Sequence, residues 1–190
     1  AGAIVGSRDA EPFIHCHGVW LEPDGSRRAG HLLPQETVVA GDATVCGWGI
    51  DGAAFIVRDD AETNFRLFFP EAAGPDGATA KGSAALACTV RPNRDISLAL
   101  EGICAGHGIR DASFFGVGSL TGVDFADGRH VPSYATEVVI REGRVRSAAG
   151  VPRCELDLAL VDMDGAVHEG RIAHGRNPVC VTFELLIVAA

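Results

Sequence analysis

Long apolar runs are missing from this sequence, and their absence excludes one class of protein at once. No apolar run reaches the roughly 18 residues that a helix needs to cross a bilayer, although 47% of the residues are hydrophobic. With 22% charged residues in a length of 190, the composition is typical of a soluble globular protein with one or two domains. Membrane-spanning helices are therefore not expected.

Basic clusters are also missing. The net charge is −9, from 16 basic and 25 acidic residues, whereas a protein that binds duplex DNA usually carries a basic face that displaces counterions from the phosphates. The arginines are scattered, and the string nearest to a minor-groove hook, residues 175–178, has one arginine and no basic flanks. The sequence thus disfavours a DNA-binding protein, although a local basic patch stays open as an alternative.

Closely spaced cysteine pairs are the third absence. The chain has six cysteines, but no Cys-x-x-Cys pair of the kind found in zinc and redox sites. Most of them lie among apolar residues, as Cys88 does. Buried, reduced thiols are therefore favoured over disulfides, and the expected location is cytoplasmic.

What is present divides the chain in two. Residues 70–83 are rich in Pro, Gly, Ala and Ser and have no hydrophobic period, which is typical of a linker. They separate a first segment, residues 1–69, from a second segment, residues 84–190.

The second segment has the pattern of a complete domain. It predicts a strand at residues 85–90, then a helix that begins after Asp95 as its N-cap and ends at residues 106–108. A strand at residues 109–115 and a tight bend at residues 116–119 should follow. Further strands are predicted at about 120–126, 136–141, 154–162, 166–173 and 179–189. One helix among many strands indicates an α+β fold with a largely antiparallel sheet.

The first segment has strand patterns only, and it repeats part of the second. Residues 22–30 match residues 162–170 in an acidic residue, an Asp-Gly pair and a final Gly at the same spacing. Its strands are predicted at about 11–21, 27–33, 36–40, 43–48, 53–58 and 64–69. We therefore expect an incomplete first copy, which a preceding segment of roughly 80–100 residues would complete. We also expect a homo-oligomer or a tight two-domain assembly that covers the open sheet edges.

Three histidines form the most specific chemical pattern. His15 and His17 are two apart in a strand, so their side chains leave the same face. A tight turn centred on Asp24 would place His31 directly across from His17, with Cβ atoms about 5 Å apart. Three histidine ligands with one open position describe a catalytic type of zinc site, which can activate water or polarise a carbonyl. We therefore predict a divalent metal site, with Zn²⁺ as the cofactor.

The second copy has different residues at the matching positions. Counted from its Asp-Gly turn, the histidines correspond to Glu155, Asp157 and Arg171. Two carboxylates and a guanidinium predict an ion-pair cluster. A hard-cation site formed by the two carboxylates is the alternative.

The His-x-His strand at residues 13–17 and the Gly-His-Leu at residues 30–32 resemble the signature of the plants-and-prokaryotes conserved (PPC) domain. The second segment resembles the same family at residues 91–95, 116–119 and 181–185. The resemblance covers about residues 10–69 and 84–190. It implies a tandem two-copy member with an α+β fold, a mostly antiparallel sheet and a trimer as the common assembly.

The resemblance also suggests chemistry. Plant members bind DNA through an added AT-hook, which is missing from this sequence. The family fold is similar to acetolactate decarboxylase, which holds zinc through a similar His-x-His and a later His. A shared fold gives a precedent for metal chemistry without assigning a reaction.

Three functions stay open on the sequence alone. The first is a metal-binding domain that acts on or senses a small molecule. The second is a DNA-associated regulator, and the third is a structural or assembly module with a vestigial site. Whether the protein is an enzyme stays open, and no catalytic residue is assigned. Glu36 and Asp42 are the nearest candidates for a general base, although both fit solvated turns.

Overall fold

A computed structural model describes residues 1–73, 85–148 and 150–190. Most of the predicted linker lies outside these residues. Its first three residues, 70–72, belong to a strand instead, so the strand pattern of the first segment continues further than predicted.

The first segment consists of strands, as predicted, and they form one five-stranded sheet. The strands are β1 Gly2–Arg8, β2 Glu11–Leu21, β3 Arg27–Leu32, β4 Ala53–Asp60 and β5 Phe65–Ala72. Their order in the sheet is β3-β2-β1-β4-β5. Every neighbouring pair is antiparallel except β1 and β4, which are parallel.

The second segment forms a six-stranded sheet with one helix, in agreement with the predicted α+β class. Its elements are β6 Ala85–Val90, α1 Ile96–His107, β7 Asp111–Leu120, β8 Val123–Asp124, β9 His130–Val131, β10 Glu137–Ala148, β11 Val151–Val161, β12 Val167–Arg171 and β13 Val179–Ala189. The sheet has the order β12-β11-β10-β7-β13-β6 and is antiparallel throughout, while β8 and β9 form a small separate ribbon.

The two sheets have related topologies. Because β10 and β13 are both antiparallel to β7, they run parallel to each other across it. Without β7, the second sheet would place β10 directly beside β13, just as the first sheet places β1 beside β4. The first sheet thus matches the second sheet without β7 in strand order and direction, whereas the outer strand β5 follows β4 in the chain and β6 precedes β13. This likeness supports the expected repeat, and the tandem two-copy arrangement itself stays a prediction.

Local signals set the limits of α1 where the sequence predicts them. The Asp95 side chain accepts a hydrogen bond from the backbone N–H of Leu98, and Gly108 ends the helix in the left-handed conformation with φ of 70°. The buried face of α1, formed by Ile96, Leu100 and Cys104, packs on one face of the second sheet.

The first sheet covers the opposite face of the second sheet. This second core contains Ile4, Phe55, Val57 and Phe68 from the first segment and Val117, Val139 and Ala159 from the second. The described molecule therefore has three layers, in the order helix, second sheet and first sheet.

The predicted bend at residues 116–119 is wrong, because these residues continue β7. A Cβ atom at Gly116 would lie 2.3 Å from the backbone oxygen of Glu184, and one at Gly118 would lie 2.5 Å from Cγ of Phe183. The glycines therefore allow β13 to approach β7 closely and do not form a turn.

The strands predicted at residues 36–40 and 43–48 are also wrong. Residues 33–52 lie outside the strands, and nearly all of their side chains are exposed. Their β-branched residues fit a strand by propensity, but the pattern could not show that no neighbouring strand pairs with them. Conversely, β1 was not predicted, and the strand expected at residues 120–126 shortens to β8.

All six cysteines are free thiols; Cys104 and Cys154 are buried, whereas Cys46 is exposed. No helix in the described ranges is long and apolar enough to cross a membrane.

Candidate metal centre

The β2–β3 hairpin brings the three predicted histidines together. Its register pairs His17 with His31, as the turn geometry predicts, and His15 lies two residues before His17 on the same strand. The ring centroids are separated by 4.6 Å for His15 and His17, 4.8 Å for His15 and His31, and 5.2 Å for His17 and His31. One nitrogen of each ring lies within 4.8 Å of the others, which is close enough for a single ion.

The triad faces the second segment, and this position fixes which ring nitrogens are free. His17 is 2% exposed, and its Nδ1 lies 2.8 Å from the backbone oxygen of Val138. A carbonyl oxygen only accepts hydrogen bonds, so Nδ1 carries the proton and Nε2 is left as a ligand atom. His15 is held in the same way, with Nδ1 2.9 Å from Oε2 of Glu184. Both Nε2 atoms consequently point into the triad.

Two carboxylates of the second segment reach this site, and the sequence analysis missed both. Glu184 on β13 is 1% exposed and touches His15. Glu137 at the start of β10 is 44% exposed, and its Oε2 lies 2.9 Å from Nε2 of His17. A single acidic residue in the apolar strand β13 was a signal for Glu184, whereas nothing local marks Glu137.

The crowding of the rings changes the proton affinities around the triad. The pKa of His31 is lowered, first by partial burial and then by the charges of His15 and His17, while Glu137 and Glu184 have smaller effects in the opposite direction. Burial alone would raise the pKa of Glu137, but its hydrogen bond to His17 and the charges of the histidines hold that pKa below its usual range. Both shifts favour a neutral ring at His31 and an ionised carboxylate at Glu137.

The matching positions of the second segment hold opposite charges. Asp157 and Arg171 are paired in the β11–β12 register, as His17 and His31 are in theirs. Nη1 of Arg171 lies 3.6 Å from Oε1 of Glu155, and Nε of Arg141 lies 3.4 Å from Oδ1 of Asp157. Arg141 was not foreseen from the sequence. Among the described residues, only the three histidines form a group that could hold an ion.

The other candidates lie elsewhere. Glu36 and Asp42 are exposed in the stretch outside the strands. A cavity of about 370 Å³ between the two segments is lined by residues that include Val19, Arg141 and Glu169, and none of the three histidines lines it. The exposed side chains at the triad are His31 and Glu137, so a small molecule would approach the triad from their side.

Comparison with known proteins finds a family model that covers the second segment. The family model described as the Plants and Prokaryotes Conserved (PCC) domain matches residues 77–190. This match begins after the histidine triad. No curated protein matches the chain.

Several solved structures are similar to this chain. A protein from Bacteroides thetaiotaomicron, named as a candidate DNA-binding protein, has 15% identity and a TM-score of 0.51, and the match covers 56% of this chain and 78% of that one. A plant- and prokaryote-conserved (PPC) protein from Pyrococcus horikoshii has 18% identity and a TM-score of 0.45, with coverages of 57% and 80%. A metal-containing protein from Archaeoglobus fulgidus has 17% identity and a TM-score of 0.42, with coverages of 56% and 79%.

Proposed function

The chain belongs to the Plants and Prokaryotes Conserved (PCC) domain family, and we propose that it binds a divalent metal ion, Zn²⁺, through His15, His17 and His31. The bound ion would serve to recognise or transform a small molecule. The proposal rests on the geometry of the triad, because the family match does not reach these residues.

One observation carries the proposal. The Nε2 atoms of His15 and His17 lie 2.9 Å apart, while the Nδ1 atom of each ring already faces an acceptor on the second segment. When both rings are neutral with Nδ1 protonated, both Nε2 atoms carry lone pairs, which repel each other at this distance unless a proton or a metal ion lies between them. A divalent ion meets both nitrogens, and the ring of His31 on β3 is close enough to contribute the third.

The ligand set indicates the kind of ion and its use. Imidazole nitrogens suit zinc and other late transition metals. Zinc held by three histidines acts as a Lewis acid on a bound carbonyl or lowers the pKa of a bound water. The protein would contribute the rigid hairpin, the acceptors that orient His15 and His17, and an approach past His31.

A DNA-associated role finds no support in the residues of this chain. The similarity to the Bacteroides protein is at 15% identity and concerns the fold alone, and the chain carries a net charge of −9. The competing role is an assembly module with a vestigial site. Such a module would hold no metal, so metal analysis distinguishes the two roles.

Metal analysis of protein purified without a histidine tag tests the proposal. The wild type and an Asp157→Ala control should hold about one equivalent of zinc, and His17→Ala should lose at least nine-tenths of it, because one of three ligands is gone. Equal metal content in His17→Ala and Asp157→Ala, after incubation with zinc and dialysis, would show that the triad is not a metal site.

A further inference from the structure

We propose that Glu137 is the fourth ligand of this metal site, a carboxylate that the second segment adds to the three histidines of the first. The inference rests on the proposed function above. It adds a residue that lies 106 positions beyond His31 in the chain and comes from a different sheet.

The directions from Nε2 of His17 to its two neighbours are the first support for a metal bond to Glu137. Nε2 of His17 has two close neighbours, Nε2 of His15 and Oε2 of Glu137, each at 2.9 Å. A single proton on Nε2 cannot point straight at both. Because His17 is 2% exposed, a water molecule has little access to this nitrogen and does not supply the second hydrogen bond. A cation bound to Nε2 of His17 avoids this conflict. The Glu137 carboxylate lies beside His17 but outside the 4.8 Å group of the three histidine nitrogens, so it would reach the cation by a turn of its side chain.

The two carboxylates at the site have different roles. Glu184 contacts Nδ1 of His15, the nitrogen on the side away from His17, so it orients the ring and is a positioning residue. Glu137 contacts Nε2 of His17, which is the nitrogen that faces the triad. Only Glu137 therefore presents its oxygen on the side where the ion would lie.

The backbone beside Glu137 strengthens this assignment. The next residue, Val138, accepts the Nδ1 proton of His17 through its carbonyl oxygen. Residues 137–138 thus contact both nitrogens of the same ring, one through the main chain and one through the carboxylate. This double contact places the carboxylate of Glu137 beside the ring.

Charge balance gives an independent argument. Among the described residues, the ion-pair partners of Glu137 and Glu184 are His17 and His15. Glu184 is 1% exposed, and an ionised carboxylate so deeply buried is costly without a positive charge nearby. One divalent ion neutralises both carboxylates.

The fourth ligand has a consequence for access to the ion. Glu137 is 44% exposed, whereas His17 is buried, so the carboxylate is the ligand that can turn away into solvent. A small molecule would reach the ion by displacing Glu137. Removing this carboxylate should weaken metal binding and, in the loaded protein, strengthen the binding of a competing anionic probe.

The absorption spectrum of Co²⁺-loaded protein tests whether Glu137 is a ligand, because the visible absorption of Co²⁺ depends on the number and type of its ligands. We compare wild type with Glu137→Gln, and with Glu142→Gln as a control on the same strand, where Glu142 is exposed and pairs with Arg144. Glu137→Gln should bind Co²⁺ more weakly, by at least the roughly 10–100-fold that the loss of an outer-shell partner typically causes. It should also change the absorption spectrum of the bound ion and bind acetohydroxamate more tightly once loaded. Glu142→Gln should match the wild type in all three measurements.

The outcomes separate this inference from the proposed function. If Glu137→Gln keeps the wild-type Co²⁺ affinity and spectrum while His17→Ala loses the metal, the triad binds metal without Glu137 and the inference is overturned. If His17→Ala keeps its metal, the proposed function itself fails. Circular dichroism of each variant identifies any loss of affinity that comes from misfolding.

Discussion

At the scale of single residues, the three histidines are not equivalent. His17 is buried and contacted at both nitrogens, whereas His31 is exposed and has a lowered pKa. A histidine with a lowered pKa in the folded state binds fewer protons there than in the unfolded chain, where the pKa is near 6.5. Protonation at acid pH therefore favours the unfolded state.

The metal-free protein should lose stability as the pH falls below about 6.5, because the unfolded chain then takes up the proton that folded His31 resists. Above that pH, His31 is neutral in both states and contributes no pH dependence. Urea unfolding in the presence of EDTA, at several pH values between about 5 and 7.5, measures the effect. The free energy of unfolding of His31→Gln should vary less over this window, and equal slopes would contradict the assignment.

At the scale of elements, short-range patterns predict the hairpin and the helix well, because their determinants are local. The turn around Asp24 sets the register of His17 and His31, and Asp95 begins α1. Short-range patterns fail where contact with a strand that is distant in the chain determines the structure. The glycines of β7 resemble a turn in sequence, but the backbone of β13 against them makes them a strand.

Gly118→Ala should therefore destabilise the protein by about 3 kcal/mol, since its Cβ would lie 2.5 Å from both Cγ of Phe183 and the backbone oxygen of Thr182. Gly102→Ala is the matched control, because Gly102 is exposed in α1 with no atom within 4 Å of an added Cβ. This control should gain about 0.5–1 kcal/mol through helix propensity. Chemical denaturation of both variants measures the difference, and similar stabilities would disprove the close approach of β13.

At the scale of the whole molecule, the two segments depend on each other unequally. The core between α1 and the second sheet is formed entirely by the second segment. The core of the first segment, in contrast, is completed by Val117, Val139 and Ala159 of the second. This dependence could not be read from the sequence, because a strand pattern does not identify the face on which two sheets meet. The self-association expected from the sequence stays a prediction.

A fragment of residues 85–190 should consequently fold on its own, and a fragment of residues 1–73 should not. The second fragment retains its helix-covered core, whereas the first loses one wall of its core and the contacts from Glu137, Val138 and Glu184 to its histidines. Dispersion of amide signals in NMR spectra of the two fragments distinguishes the outcomes. A well-dispersed spectrum from residues 1–73 would contradict the unequal dependence.

The contact between His15 and Glu184 joins residues 169 positions apart, and this distance sets an order of events during synthesis. At typical rates of translation, a ribosome needs roughly 10–30 seconds to add that many residues. The nascent chain therefore carries its histidines for that time without the carboxylate that orients His15. Metal capture by the proposed site, with the geometry described here, would therefore follow the synthesis of β13, and it would report that β13 has reached its place.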